Sequence, residues 1–386
     1  MRIVLISAEY PPVTGGVADY TYHLAHALDR LGHRVAVLTT ADGSGRTAVE
    51  QDGSGVEVVS RVQGWGVRNL TTIGQIVREL APDIVDLQYV PQMYGRGGLA
   101  PGIALVPFVL RMRTRARILC TLHEIASPWS LRPRRAAAAA VHRAQMFSLL
   151  LAGDRFIVTN HRYAVQLRRW LRHPSSVHEI PVGATIMPVA LGEAEREELR
   201  RSIGVDGGVL VGDLSPQNVS KRPEDLIVIL GSLDPRARLL LLGGLEGDRA
   251  RRHEFIRLAT EAGVIDHITW VENLDAAQLS RYLSAIDIYV HTAGVGASTR
   301  STSLVSALAH GLAAVAYRGP ETSNAFVDGG NILLVQPGDS RSLTEGVRRL
   351  IDDPILKARV ATGASVLYVD ALTWESIARQ LLRAAA

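Results

Sequence analysis

Short apolar runs alternate with stretches of helical periodicity along most of the chain. Residues 2–7 form one such run, Gly15-Gly16 follows, and Tyr20, Leu24, Ala27, Leu28 and Leu31 recur at helical spacing before Gly32. The pattern predicts a strand, a glycine loop and a helix. A second apolar run at residues 34–38 comes at once and closes a βαβ unit, whose strands should be parallel and buried. Runs at 56–59, 84–87, 118–122 and 155–159 predict further strands, with helices at 71–80 and 134–151. From Gly207 the alternation restarts. Strands are expected at 209–212, 238–242, 268–271, 286–291, 313–316 and 332–335, and helices at 223–233, 249–261, 275–284 and 303–310. A segment punctuated by glycine and proline, 180–195, marks the boundary between the halves. The expected organisation is therefore α/β, with two doubly wound Rossmann-like domains at 1–190 and 191–370. A last amphipathic helix at 371–386 is expected to pack back on the first domain. Two such domains facing one another would turn the carboxyl ends of both sheets toward a central cleft.

Composition narrows this picture. The 386 residues are 47% hydrophobic and only 5% aromatic, which suits tightly packed parallel sheets and gives enough chain for two cores. Cys120 is the single cysteine, so neither an intramolecular disulfide nor a thiolate metal cluster is available, as expected of a cytoplasmic protein. The chain opens on a strand-like run without a cationic leader, and no secretory signal is expected. The apolar stretch 98–110 contains Pro101 and Pro107 and is too short to span a bilayer. The formal net charge is +4, but residues 1–190 carry 21 arginines against 13 acidic residues, so the excess lies in the first half. Arg111, Arg113, Arg115, Arg117, Arg132, Arg134 and Arg135 concentrate it. Alternating arginines read first as a solvated edge strand or loop. A peripheral membrane contact or an anionic acceptor is the lesser alternative. No basic platform interleaved with aromatics is visible, so nucleic acid is not an expected partner.

Several residues could carry chemistry. Gly15 and Gly16 close the loop after the first strand, where small residues let backbone N–H groups approach a phosphate or another substrate group. The dinucleotide fingerprint is missing there, and Asp42 beyond the second strand has no glycine partners, which disfavours a nicotinamide enzyme. His123 and Glu124 follow the apolar run 118–122 at its carboxyl end, the position of a substrate-contacting pair. Asp19, Tyr20, Gln88 and Tyr89 are secondary candidates on the same side. In the second half Lys221 is one of only two lysines in an arginine-dominated chain, the other being Lys357, and a loop ammonium there could meet a diphosphate. The run Gly294-Val-Gly-Ala-Ser-Thr-Arg-Ser-Thr-Ser leads into a helix. It offers Ser298, Thr299, Arg300, Ser301 and Thr302 as an anion site, or Ser301 and Thr302 as ordinary N-caps. No Asp-x-Asp occurs and no histidine pair has metal-binding spacing, so no metal is expected.

Taken in order, these pieces resemble the family 4 retaining glycosyltransferases of GT-B fold over essentially the whole chain. The matching segments are Glu9-Tyr-Pro-Pro with Gly15-Gly-Val-Ala-Asp-Tyr, Leu28-x-x-Leu-Gly-His-x-Val, Pro82-Asp-Ile-Val-Asp-Leu-Gln, Thr121-Leu-His-Glu, Val158-Thr-Asn, Ile180-Pro-Val-Gly, the Lys221 loop, Leu308-Ala-His-Gly-Leu and Asn331-Ile-Leu-Leu-Val-x-Pro-Gly-Asp. The resemblance implies hexosyl transfer from a nucleotide-diphosphate sugar, foremost a UDP- or GDP-sugar, to a small-molecule, natural-product, glycan or lipid-linked acceptor, with retention and without metal. It implies that Gly16 faces the donor phosphate, that His123 touches the donor sugar and that Lys221 binds the diphosphate. Asp19, Tyr20, Gln88, Tyr89 and Glu124 would face the acceptor. Two departures stand out. Asp213 occupies the place of the family's diphosphate arginine, and Ser298 and Ser306 replace its pair of glutamates. The expected reading is a variant subgroup in which Arg300 substitutes for the missing arginine and Glu321 contacts the donor. A non-catalytic sugar-nucleotide-binding relative and a GT-B sugar-nucleotide epimerase are the alternatives.

Overall fold

The computed structural model describes residues 1–41, 48–51, 55–125, 131–205, 207–214, 220–243 and 249–386. Asp42 lies outside them. The chain forms two compact units, Met1–Pro181 with Trp374–Ala386, and Val182–Thr373.

The first unit carries eight strands: β1 (Arg2–Ile6), β2 (Arg34–Thr40), β3 (Ala48–Gln51), β4 (Glu57–Val62), β5 (Ile84–Tyr89), β6 (Arg117–Leu122), β7 (Arg155–Val158) and β8 (Val177–Glu179). They lie in the order β3-β4-β2-β1-β5-β6-β7-β8, parallel except for β3 against β4. Because helices cover both faces, the central strands read as nearly unbroken apolar runs, and every residue of β5 is buried. One face is packed by Leu70–Leu80, Pro101–Arg113 and Pro133–Ala152. The other face meets Gly16–Arg30, which buries Ala18, Tyr20, Leu24, Ala27 and Leu28, the face that its spacing foretold. The last helix, Trp374–Ala385, packs on this same helix. Trp374 is 1% exposed, stacks on His23 at 5.2 Å, and is joined by an Arg30–Glu375 ion pair of 2.7 Å.

Two features here go beyond what the spacing predicted. The stretch around Pro101 and Pro107 is a helix, since Pro101 sits in its first turn, where the missing N–H costs nothing. The arginine series does not form an edge strand: Arg111 and Arg113 end that helix, and Arg117 opens β6, between β5 and β7. Arg111 reaches Asp154 at 2.7 Å and the Ala152 carbonyl at 2.6 Å.

The second unit holds β9 (Leu210–Leu214), β10 (Arg238–Leu242), β11 (Ile268–Val271), β12 (Ile288–His291), β13 (Ala313–Tyr317) and β14 (Leu333–Val335). All are parallel, in the order β11-β10-β9-β12-β13-β14. Two apolar clusters fill the faces, one with Leu304, Val305 and Leu308 from the helix Thr302–Ala309, the other with Leu226, Ile229 and Leu343. The division between units falls after Pro181 because the following residues are tied into the second unit. Val182 N–H donates to the Thr299 carbonyl, Ile186 N–H to Ser306 Oγ and Val189 N–H to Ser280 Oγ.

Candidate functional site

In an open α/β sheet the crevice for a ligand opens where the strand order reverses, outside the carboxyl ends of the strands. In the first unit that point lies between β1 and β5. The loop after β1 carries Glu9, Gly15 and Gly16. A β-carbon at Gly15 would sit 2.7 Å from Glu9 Oε2, so glycine there lets the Glu9 side chain lie against the start of the helix. Gly16 is the first helical residue and has nothing within 4 Å of where a β-carbon would stand. Asp19 is exposed in the same turn.

Beside this loop runs a buried polar chain. His123, directly after β6, is 8% exposed, and its Nε2 lies 2.9 Å from Gln88 Oε1. Gln88 Nε2 donates to Asp86 Oδ2 at 2.7 Å, and Thr121 Oγ1 donates to the same carboxylate at 2.8 Å. Asp86 is fully buried, and burial pushes its carboxyl up to about 6 against the pull of the Thr121 and Gln88 hydrogen bonds. Tyr20 meets the His123 ring edge-on at 4.7 Å, and its buried hydroxyl has no hydrogen-bond partner among the described residues. A buried unpaired hydroxyl costs stability, and a ligand group or water that reached it would relieve that cost. Tyr89 does not join this set. Its ring is wholly buried in the core, and its hydroxyl accepts from Gln145 Nε2 at 3.3 Å. Glu124 is half-buried beside His123.

In the second unit the reversal lies between β9 and β12. Residues 220–222 are pinned to the loop after β12 by a Lys221–Ala293 bridge, by Arg222 N–H to the Thr292 carbonyl at 3.1 Å and by Gly294 N–H to the Ser220 carbonyl at 3.2 Å. That loop in turn grips the one after β13. Gly296, at φ +104°, and Gly319 pack backbone to backbone: a β-carbon at Gly319 would come within 2.4 Å of the Val295 carbonyl. Glu321 N–H donates to the Val295 carbonyl at 2.9 Å and Ser323 N–H to the Ala297 carbonyl at 2.9 Å, which brings Glu321 to the serine-rich loop. Thr299 N–H donates to Ser323 Oγ at 3.0 Å. Ser301 caps the helix Thr302–Ala309 by accepting from Leu304 N–H, and Arg300 is half-buried in the residue before that cap.

The residues that replace the expected acids and arginine are occupied. Ser298 Oγ accepts from Arg300 N–H at 3.2 Å, and Ser306, fully buried, accepts from Ile186 N–H at 3.2 Å. Lys221 is 3% exposed. Its ammonium lies 2.5 Å from Asp213 Oδ1 and also donates to the Leu214 carbonyl, while Tyr289 donates to Asp213 Oδ1 at 3.2 Å. Burial raises the Asp213 carboxyl and lowers the Lys221 ammonium from their ordinary values, and their mutual attraction opposes both shifts. Lys221 thus meets an internal carboxylate, Asp213, in this structure. Asp86, inside the matched segment Pro82-Asp-Ile-Val-Asp-Leu-Gln, and Trp374, in the expected last helix, were not among the candidate site residues. Asp86 stands as a lone acid inside the buried run Ile-Val-Asp-Leu-Gln-Tyr, and that anomaly was the available signal.

Residues 15–183 match the Glycosyl transferase 4-like domain and residues 209–365 match the Glycosyl transferases group 1 family. The chain is a glycosyltransferase of GT-B fold, related to family 4. It is 23% identical over 384 residues, covering 97% of this chain and 95% of the relative, to the GDP-mannose-dependent alpha-(1-6)-phosphatidylinositol monomannoside mannosyltransferase of Mycolicibacterium smegmatis. It is 27% identical over 222 residues to the D-inositol 3-phosphate glycosyltransferase of Stackebrandtia nassauensis, a match covering 55% of this chain and 48% of that protein. Among solved structures, HepE of Anabaena in complex with UDP and glucose superposes with a TM-score of 0.73 at 19% identity, covering 99% of this chain and 98% of that one. No group of three or more His, Cys, Asp or Glu side chains among the described residues of this GT-B glycosyltransferase could hold a metal ion. No described helix is long and apolar enough to cross a membrane.

Proposed function

We propose that this glycosyltransferase moves a hexosyl group from a nucleoside-diphosphate sugar, foremost a UDP- or GDP-sugar, to a hydroxyl acceptor with retention of configuration and without a metal. The observation that carries the reading is the assembly at the second unit's switch point. There the serine-rich loop, the helix start at Ser301-Thr302 and Glu321 are bonded into one rigid rim outside β9, β12 and β13.

In this reading the second unit binds the nucleotide. Arg300 and the amides at the start of Thr302–Ala309 stabilise the charge that builds on the departing diphosphate, and Glu321, Ser298 and Thr299 hold donor hydroxyls. The first unit supplies Gly15 and Gly16 as small residues that admit a phosphate. His123 hydrogen-bonds the donor sugar, and Asp19, Tyr20 and Glu124 contact the acceptor. Bond cleavage leaves a phosphate oxygen that takes the proton of the attacking acceptor hydroxyl, so the glycosidic bond forms on the face the leaving group vacates. Lys221 and Asp213 serve as an internal buttress under the loops rather than as the diphosphate cation.

The relatives' printed names support nucleotide-sugar chemistry: one is GDP-mannose-dependent, and the Anabaena structure holds UDP and glucose. The single buried Cys120 accords with action in the cytoplasm. Peripheral membrane contact is the finer part of the proposal. The first unit exposes Leu105, Phe108 and Met112 on the helix that ends in Arg111 and Arg113, and Leu131 beside exposed Arg132, Arg134 and Arg135. Sedimentation with anionic but not neutral vesicles is the expected result, and equal recovery with both would remove this part.

The test of the main reading is a donor panel incubated with candidate acceptors in EDTA, read by proton NMR at the anomeric centre. The expected result is one donor consumed, with an α-configured donor giving an α-linked product. Epimerised donor without acceptor, or inversion, would sink the proposal.

A further inference from the structure

The polar chain beneath His123 fixes more than the position of its ring. Asp86 is wholly buried on β5 and receives Thr121 Oγ1 and Gln88 Nε2. An ionised carboxylate can only accept, so the Gln88 amide must present its NH2 end to Asp86 and its oxygen to the other side. That oxygen lies 2.9 Å from His123 Nε2, and an amide oxygen also only accepts. The neutral imidazole then carries its proton on Nε2, and Nδ1 becomes the acceptor nitrogen of the ring. Asp86, Gln88 and Thr121 are each 0% accessible, and the His123 backbone N–H donates to the Tyr89 carbonyl at 3.1 Å. Tyr20 closes the arrangement from the helix Gly16–Arg30, its ring edge-on to the imidazole and backed by Trp374 at 5.3 Å.

We infer that Asp86 and Gln88 are positioning residues that act through His123, the carboxylate orienting the amide and the amide oxygen holding the imidazole as its Nε2–H tautomer. The inference rests on the proposed role of His123 at the donor sugar for its catalytic consequence, but not for its structural content. A buried acid is used here for direction rather than for charge: the order acceptor, donor, acceptor, donor runs outward from Asp86, so reversing any link reverses the hydrogen-bonding character that His123 presents. Asn at position 86 has nearly the same shape but can offer either an oxygen or an NH2 group, which frees Gln88 to turn over.

The experiment is nitrogen NMR of the full-length protein labelled on histidine, at a pH where His123 is neutral, with His123→Gln used to assign its signals. In the wild-type protein the His123 proton is expected on Nε2, and a proton on Nδ1 overturns the inference without any variant. In Gln88→Met the tautomer preference should be lost, and in Gln88→Glu, which restores an acceptor at the same reach, it should return. Asp86→Asn should give a mixture of tautomers. Where the donor is known, Asp86→Asn should lower kcat by tenfold or more while leaving KM within about twofold, the pattern of a group that orients another. An unchanged kcat with a changed tautomer would refute the positioning role while leaving the glycosyltransferase reading intact. Absence of transfer by any variant or by the wild type, with the tautomer as expected, would count against that reading alone.

Discussion

Lys221 and Asp213 form the most consequential pair for stability in the second unit, and substituting one of them alone should show it. Both side chains are almost wholly buried, at 2% and 0%, and lie 2.5 Å apart. Replacing Lys221 by Met removes the ammonium, keeps most of the volume and leaves the Asp213 carboxylate with only the neutral donors Tyr289 and the Leu214 backbone N–H. Breaking a buried pair in this way costs about 3–5 kcal/mol, because the remaining charge stays desolvated. Asp213 Oδ2 has no hydrogen-bond partner among the described residues, so little there can compensate. For a unit of this size each kcal/mol moves the midpoint by about 2–4 °C, so the second unit's transition should fall by roughly 10 °C. Differential scanning calorimetry of wild type, Lys221→Met, Asp213→Leu and the double variant reads the effect directly. The double variant replaces the pair with apolar groups and should recover most of the loss, giving a coupling energy of about 3 kcal/mol or more. A single variant melting within about 2 °C of wild type would refute the reasoning, since it would mean that Asp213 does not hold the ammonium. If Lys221→Met also kept its stability but lost nucleotide binding, Lys221 would regain the diphosphate role that the geometry takes from it.

Other expectations follow from the same geometry. Burial among Tyr20, Tyr94, Gln88, Thr121 and Cys120 pushes the Asp86 carboxyl up to about 6 from its ordinary 3.8. A raised folded pKa contributes stability that is complete below pH 4 and lost as pH rises through 6, a change of about 3 kcal/mol. Asp86→Asn should thus gain on wild type by that amount between pH 4 and pH 7 in urea titrations, and parallel curves would contradict the burial argument. Arg300→Ala should weaken nucleoside diphosphate binding by about 1.5–3 kcal/mol, the worth of a hydrogen bond to a charged group. Unchanged affinity would move the diphosphate elsewhere. Trp374→Ala should destabilise the first unit by about 3–5 kcal/mol and leave the second unit's transition in place. A loss confined to the second unit would contradict the packing of the last helix on Gly16–Arg30.

Much of the scaffold was legible in the chain because parallel sheets covered on both faces write long apolar runs. β10, β11 and the helices Arg249–Glu261 and Trp374–Ala385 lie where their spacing put them. What escaped has physical causes. Pro101 and Pro107 hid a helix: Pro101 fits its first turn, but Pro107 lies in its interior, where proline ordinarily ends the pattern. Helices Ser340–Asp352 and Pro354–Leu367 were not expected, although Pro337-Gly338-Asp339 after β14 and Asp353-Pro354 mark their starts. At the sites, position beside strand ends was readable for Gly15, His123 and Arg300. Partnership was not: that Lys221 would meet Asp213, that Ser306 would hold Ile186 and that Gln88 would link Asp86 to His123 depends on contacts between residues far apart in sequence.

The account stands most directly on one measurement, a thermal-shift screen of purified protein against UDP-, GDP-, ADP- and TDP-sugars in EDTA. Binding at a hundredfold excess over Kd stabilises by about 2.7 kcal/mol. One nucleotide series is expected to raise the midpoint of the unit that contains Arg300, and Arg300→Ala is expected to erase the rise. A flat response to every nucleotide sugar would contradict donor binding and, with it, the proposed transfer.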